Sequence, residues 1–166
     1  MNRRILLKLL GLAAMAAPAG RTIAKDDKPF PSKLGKADWQ KLLPPESYRV
    51  LFEEATERAG TSPLNREKRA GVFVCAACYN PLFDSDKKFE SGTGWPSFWA
   101  PRPEAVGRKK DFLLILPRTE YHCAHCGGHQ GHVFEDGPPP TGLRYCNNGV
   151  ALRFVPKEEP LPALRG

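Results

Sequence analysis

The sequence predicts a mainly β fold: a small antiparallel β-sheet domain of two packed sheets, with short N-terminal helices and a four-cysteine zinc site. Three observations carry this expectation. Gly and Pro supply 32 of the 166 residues, a content suited to tight turns and short strands rather than to a helical bundle. From Arg69 onward, short apolar runs alternate with turn residues, the pattern of an antiparallel sheet. Two C-x2-C pairs, Cys75 with Cys78 and Cys123 with Cys126, are separated by 44 residues. Two such hooks brought together offer four thiolates in the tetrahedral arrangement that suits Zn²⁺. A hydrophobic content of 41% beside 26% charged residues is enough for one ordinary core.

The first segment, residues 1–24, reads as an export signal of twin-arginine type together with the start of a linker. Arg3 and Arg4 precede an apolar run from Leu9 to Ala17, and Ala17-Pro18-Ala19 offers a small-residue cleavage site. The run is too short for a comfortable membrane span of about 20 residues, so contact with a membrane is expected only through an uncleaved signal. Export places the protein in a bacterial periplasm. Without residues 1–19 the chain keeps 22 basic against 18 acidic side chains, a net +4. That balance does not call for a nucleic-acid partner.

Residues 25–36 are polar and proline-broken and read as a linker before a domain at 37–158 and a C-terminal tail at 159–166. Asp38 suits the cap of a short helix ending at Pro44. Pro45 and Glu46 suit the first turn of a longer one, with Tyr48, Leu51, Phe52, Ala55 and Ala59 on one core-facing stripe, a Glu54–Arg58 pair, and a stop at Gly60. The strands follow: Gly71–Val74 into the first hook, Pro81–Phe83, Phe112–Leu116, the extended Thr119–His122 into the second hook, Val133–Phe134, and Val150–Val155.

The chemistry-bearing residues crowd between Tyr121 and Val155. A closed four-thiolate zinc site has no open coordination position, so it staples the fold and supplies folding energy. The same spacing also fits two disulfides or a redox-active dithiol, which an exported protein permits. Cys146, the fifth cysteine, then stands alone. A lone thiol is commonly buried or paired with another molecule, but Arg144 sits two residues away on the same strand face, where a cation lowers a thiol pKa. Asn148, two residues on, carries a hydrogen-bonding amide. His129 and His132 suit metal ligands, catalytic acids or plain polar positions; facing Cys146, one imidazole protonates a leaving oxygen. His122 and His125 fall within the second hook and read as surface residues or neighbours of the metal. Ser91–Trp99 (SGTGWPSFW) is glycine-punctuated and aromatic, suited either to core packing or to an apolar pocket for a thioether methyl.

Taken together, the two hooks, SGTGWPSF from Ser91, and HQGHVFEDGPPPTGLRYCNNGVALRF from His129 resemble the peptide methionine-(R)-sulfoxide reductase family, the B type. The resemblance covers about residues 36–156. It implies a β domain around one structural zinc held by Cys75, Cys78, Cys123 and Cys126. It implies Cys146 as the nucleophile that attacks the sulfur of methionine-(R)-sulfoxide and passes through a sulfenic acid. Trp95 would lie against the substrate methyl with Phe134 nearby; His129, His132 and Asn148 would surround the sulfoxide oxygen, and Arg144 would support the thiolate. Many members carry a resolving cysteine in the SGxGWPSF string, where this chain has Thr93. A one-cysteine cycle is therefore expected, in which an external thiol or a thioredoxin-like protein reduces Cys146. Gly149 stands where relatives usually have a serine. The implied substrates are oxidised peptides or proteins, and a monomer is the default. Two functions of other classes compete: a zinc-ribbon binding module and an exported thiol–disulfide exchange protein.

Overall fold

The computed structural model describes residues 30–111 and 118–166. The export signal, residues 25–29 of the linker and the expected strand Phe112–Leu116 lie outside the described residues. Among the described residues two short helices, α1 (Lys36–Leu42) and α2 (Pro45–Glu53), precede nine strands: β1 (Gly71–Cys75), β2 (Pro81–Asp84), β3 (Lys88–Phe89), β4 (Ser97–Phe98), β5 (Val106–Asp111), β6 (Arg118–Cys123), β7 (His129–Phe134), β8 (Arg144–Asn147) and β9 (Leu152–Pro156). They form a three-stranded sheet in the order β2-β1-β9 and a six-stranded sheet in the order β3-β4-β8-β7-β6-β5. Every pairing is antiparallel. The mainly β architecture of two antiparallel sheets behind two short helices is as the sequence predicts. Among the described residues no helix is long and apolar enough to cross a membrane.

The two sheets close on an aromatic core. Phe73 from one sheet meets Phe98 from the other at 4.9 Å between ring centroids, and Phe83 stacks on Phe98 at 4.2 Å. Tyr121 and Tyr145 complete the cluster in edge-to-face contact at 5.2 Å, and all five rings are buried. Alternation does the rest. Tyr145 faces the core, so its neighbours Arg144 and Cys146 face the opposite side of β8.

The helical section departs from expectation at both ends. Lys36 already opens α1, with Gly35 at the cap and Asp38 inside the first turn, where its carboxylate accepts the Gly35 N–H at 3.0 Å. α2 starts at Pro45 as expected and buries Tyr48, Val50, Leu51 and Phe52, with Phe52 stacked on Trp39. It ends at Glu53, not at Gly60. Glu54 takes a left-handed conformation (φ 56°) that breaks the helix, and its carboxylate pairs with Lys109 at 2.6 Å rather than with Arg58. Ala55 is only partly buried and Ala59 is exposed. Residues 55–62 instead run across the face of the larger sheet. Val150 also leaves its expected strand: it belongs to a single 3-10 turn, Gly149–Ala151, before β9.

Residues 159–166 are largely exposed, but Arg165 anchors them. The Arg165 guanidinium donates to the carbonyls of Ala76 and Ala77 at 2.6–3.3 Å, and the Arg165 N–H donates to the Cys78 carbonyl at 2.9 Å. At the other terminus, Ser32 N–H donates to the His125 carbonyl at 3.0 Å. Both ends of the described chain therefore sit on the cysteine hooks.

Candidate active site and metal centre

Each hook is the tight turn that ends a strand, β1 for Cys75–Cys78 and β6 for Cys123–Cys126. The folded sheets bring the two turns together. The four sulfurs lie within 4.8 Å of one another, with Cys75 Sγ 3.8 Å from Cys126 Sγ and Cys78 Sγ 3.5 Å from Cys123 Sγ. A tetrahedron of sulfurs about 2.3 Å from a zinc ion has edges of about 3.8 Å, so the donor set and its spacing fit the ion. All five cysteines are free thiols. Burial drives the Cys75 thiol well above its ordinary pKa. Side-chain amides face the sulfurs: Gln130 Nε2 stands 3.4 Å from Cys75 Sγ and Asn80 Nδ2 3.6 Å from Cys123 Sγ. His122 packs edge-on against Phe30 at 5.5 Å, and His125 Nε2 meets the Gly166 carbonyl oxygen at 3.1 Å.

Cys146 belongs to a different place, the outer face of the larger sheet. The register sets Ser97 and His132 directly opposite it on its two neighbouring strands, Glu120 beyond His132, and Lys109 beyond Glu120. Directly opposed residues share a face with Cβ atoms about 5 Å apart, so one polar row crosses the site. Gly131 makes the close approach of β7 and β8 possible, because a Cβ there would collide with the Cys146 carbonyl oxygen.

A pocket of about 150 Å³ opens over this row, lined by Thr56, Trp95, Arg118, His132, Phe134 and Cys146 among others. A cavity of that order accommodates a benzene ring, so a methylsulfinyl group fits. Of the aromatics in the SGTGWPSFW string only Trp95 lines it. Phe98 is in the core, and Trp99 lies under the Lys87 ammonium at 4.5 Å.

The charges around the thiol are paired. Arg144 is bidentate to Asp136, at 2.8 Å for both bonds, and its guanidinium lies 4.3 Å above the Phe134 ring. Arg144 and the Thr93 hydroxyl both pull the Cys146 pKa down, as a cation and a donor must. Burial pushes harder, the Asp136 carboxylate opposes them, and the net shift is upward. The sequence expectation of a depressed pKa thus names the right cation but misses its partner and the desolvation. His132 shifts the other way: burial lowers its pKa and outweighs the Asp111 carboxylate, 2.8 Å from Nε2. Both shifts favour the uncharged forms, thiol and imidazole.

His129 stands behind this pair rather than in the pocket lining. It is buried, its Nδ1 lies 2.9 Å from Glu120 Oε1, and its ring meets that of His132 edge-on at 5.5 Å. Asn148 lines the pocket, but its side chain serves the backbone, with Nδ2 donating to the Gln130 carbonyl at 3.1 Å and Oδ1 accepting from the Glu57 N–H at 3.0 Å. Gly149 has its own reason: a Cβ there would run into the Ser62 side chain. Arg118 and Asp111, joined at 2.8 Å, went unread in the sequence, as did Thr56 and Glu57. Each is an ordinary polar residue in a segment without a motif, and only the strand register or the crossing of residues 55–62 brings it to the site.

A family model described as the SelR domain matches residues 43–156. The peptide methionine sulfoxide reductase MsrB of Agrobacterium fabrum is 53% identical over 121 residues, covering 72% of this chain and 90% of that protein. The protein of the same name from Bradyrhizobium diazoefficiens is 49% identical over 141 residues, 84% of this chain and 99% of the relative. The chloroplastic peptide methionine sulfoxide reductase B1 of Arabidopsis thaliana is 43% identical over 143 residues, 86% of this chain and 71% of the relative. The matched stretch contains both hooks, the pocket and Cys146, and the chain belongs to the peptide methionine sulfoxide reductase MsrB family of oxidoreductases.

Proposed function

We propose that this protein reduces methionine-(R)-sulfoxide, in oxidised peptides or proteins, through Cys146 as sole redox thiol. The observation that carries the reading is the facing of the Cys146 thiol, the His132 imidazole and the Trp95 and Phe134 rings in one small pocket, remote from the four clustered cysteines. The indole and phenyl supply an apolar surface suited to a thioether methyl. As the substrate sulfur comes within bonding distance, the thiol proton passes to neutral His132, and the thiolate attacks sulfur. His132 Nε2 is committed to Asp111, so Nδ1 is the nitrogen left to carry that proton to the sulfoxide oxygen. The protonated oxygen then passes from the substrate sulfur to the Cys146 sulfur: the substrate S–O bond and the transient sulfur–sulfur bond break, the Cys146 S–O bond forms, methionine leaves as the thioether with two electrons gained, and Cys146 is left as the correspondingly oxidised sulfenic acid. Arg144 steadies the anionic sulfur. His129 and Asn148 hold His132 and the pocket wall in place.

Two equivalents of an external thiol, or one dithiol protein of thioredoxin type, then return the sulfenic acid to thiol with release of water and a disulfide. Thr93 offers a hydroxyl where an internal partner would need sulfur, and the remaining cysteines are at most 8% exposed. Their burial also disfavours thiol–disulfide exchange through the C-x2-C pairs. One structural zinc on Cys75, Cys78, Cys123 and Cys126 would tie the two sheets together. Delivery to a bacterial periplasm rests on residues 1–24, and a monomer suffices for the site. The test is turnover of the two sulfoxide epimers separately, with and without a dithiol, followed by mass spectrometry of enzyme given substrate alone. Turnover confined to the R epimer and one added oxygen on Cys146 are expected. Equal turnover of both epimers, or an internal disulfide to Cys146, would sink the reading.

A further inference from the structure

Glu57 is a carboxylate only 4% exposed, and no salt bridge to it is found among the described residues. Desolvation raises its pKa against two backbone hydrogen bonds that stabilise the anion. Those bonds are the Gly149 N–H to Oε1 at 2.6 Å and the Val150 N–H to Oε2 at 3.0 Å, at the start of the 3-10 turn three residues after Cys146. The backbone of the same residue reaches two more site elements. Its carbonyl accepts the Trp95 indole N–H at 3.1 Å, and its N–H donates to Asn148 Oδ1 at 3.0 Å. One residue thus meets the aromatic wall of the pocket and the turn after the nucleophile with all of its polar groups, while its neighbour Thr56 lines the pocket itself. A buried carboxylate without a counter-charge is costly in a fold, and here both bonds that offset the cost go to the turn that follows Cys146 on the chain.

We propose that Glu57 is a positioning residue of this site: it locks the Trp95 indole and the turn after Cys146 into one frame and so fixes where the substrate methyl sits. The proposal deepens the reductase reading and rests on it. Glu57 touches neither substrate nor sulfur, so its loss acts on substrate placement more than on the bond-breaking step.

The test uses the metal-loaded full chain with Glu57→Gln, Trp95→Phe and the double variant. Replacing a charged acceptor by an amide loses one charge-assisted hydrogen bond. KM for an R-sulfoxide peptide is expected to rise about tenfold with kcat within about threefold, the split that marks lost binding. Hydrogen exchange at the Gly149 and Val150 amides and the Trp95 indole is expected to quicken about tenfold in Glu57→Gln. The double variant should show a KM close to that of Trp95→Phe alone, because the two residues act as a unit. Wild-type KM and exchange in Glu57→Gln overturn the proposal. So do effects that multiply in the double variant, or a loss of activity that only follows the fraction of unfolded protein. If Glu57→Gln does not fold, Glu57→Asp keeps the charge, shortens the reach and carries the same test with a smaller shift. Should the wild type reduce neither epimer, the reductase reading fails, while the exchange of these three hydrogens still decides whether Glu57 holds the frame.

Discussion

The chain places its cysteines in two environments, and the contrast explains their division of labour. The four hook sulfurs sit at strand ends, each with at most 8% exposure, facing one another and the amides of Gln130 and Asn80. Cys146 sits mid-strand on the outer face of the sheet, half-buried, with an open pocket above it, Ser97 on one side and the row His132, Glu120 and Lys109 on the other. The first arrangement leaves no coordination position for a substrate and suits a closed structural ion. The second leaves the sulfur reachable and surrounds it with proton carriers. Residue type alone does not separate a buried metal-suited cluster from an accessible thiol; strand position and access do.

The largest expected effect comes from breaking the staple. Any one of Cys75, Cys78, Cys123 or Cys126 changed to Ser should abolish metal retention and cooperative folding. A structural zinc contributes on the order of 10 kcal/mol, as much as the whole stability of a small domain. Metal content and thermal unfolding read this directly, and a folded, active Cys75→Ser would break the comparison. Next is Cys146→Ser, which should lower turnover by about a thousandfold or more, the range seen when a nucleophile is removed. Metal content and Tm should stay near wild-type values, because a serine hydroxyl can still meet Thr93 and Arg144, the side-chain partners of this thiol. Loss of the metal in Cys146→Ser would merge the two regions into one.

The sequence was most legible where a motif has a spacing. The C-x2-C pairs are readable because a tetrahedral site needs four thiols on two turns. The two-residue period of a strand puts Arg144 and Cys146 on one face and Tyr145 on the other. α2 shows where legibility stops. Ala55 and Ala59 continue the helical stripe, yet the Glu54–Lys109 pair and the buried bonds of Glu57 pull the chain out of the helix. Those partners lie far away in sequence, on β5 and after β8. The Cys146 pKa is a second instance. Arg144 is visible beside it, whereas Asp136 as its bidentate partner, and the burial, appear only once the sheet is folded.

The resting protonation states give a third test. Under the proposed mechanism the reactive free enzyme carries one proton between Cys146 and His132, and both shifts favour its place on the thiol. Below the pKa of His132, which burial lowers, the imidazole is already charged and can no longer accept that proton. Above the pKa of Cys146, which burial raises, the proton is gone from the site. Both shifts widen the window, so kcat/KM should stay level across the neutral range, with limbs below the ordinary histidine value and above the ordinary thiol value. Alkylation of Cys146 by iodoacetamide needs only the thiolate, and should climb about tenfold per pH unit over that same range. Parallel profiles for the two reactions would show that the resting pair is already thiolate and imidazolium.

A smaller effect belongs to the tail. Removing Arg165 and Gly166 takes three hydrogen bonds from the Ala76 and Ala77 carbonyls of the first hook. A loss of about 1–3 kcal/mol follows, seen as a Tm lower by several degrees and faster metal loss to a chelator, with kcat unchanged. A matching fall in kcat would mean that the staple and the reacting site are not independent.

Gln130 carries the smallest and most discriminating prediction, because its side chain reaches both regions. It is fully buried, with Nε2 at 3.4 Å from Cys75 Sγ and Oε1 at 3.5 Å from Asn147 Nδ2. Its backbone carbonyl accepts both the Asn148 N–H at 2.8 Å and Asn148 Nδ2 at 3.1 Å. Gln130→Leu removes only the side-chain links. On the metal side a thiolate loses an N–H donor, and neighbours of this kind are worth about 10–100-fold in metal affinity; the long 3.4 Å contact places the expected loss at about tenfold. On the site side almost nothing changes. The bonds to Asn148 run through the backbone, and Asn147 Nδ2 keeps its stronger bond to the Asn148 carbonyl at 2.7 Å. Chelator competition should therefore shift about tenfold while kcat/KM moves by less than about twofold. A kcat/KM that fell with the metal affinity would show that the staple steers the site through this amide.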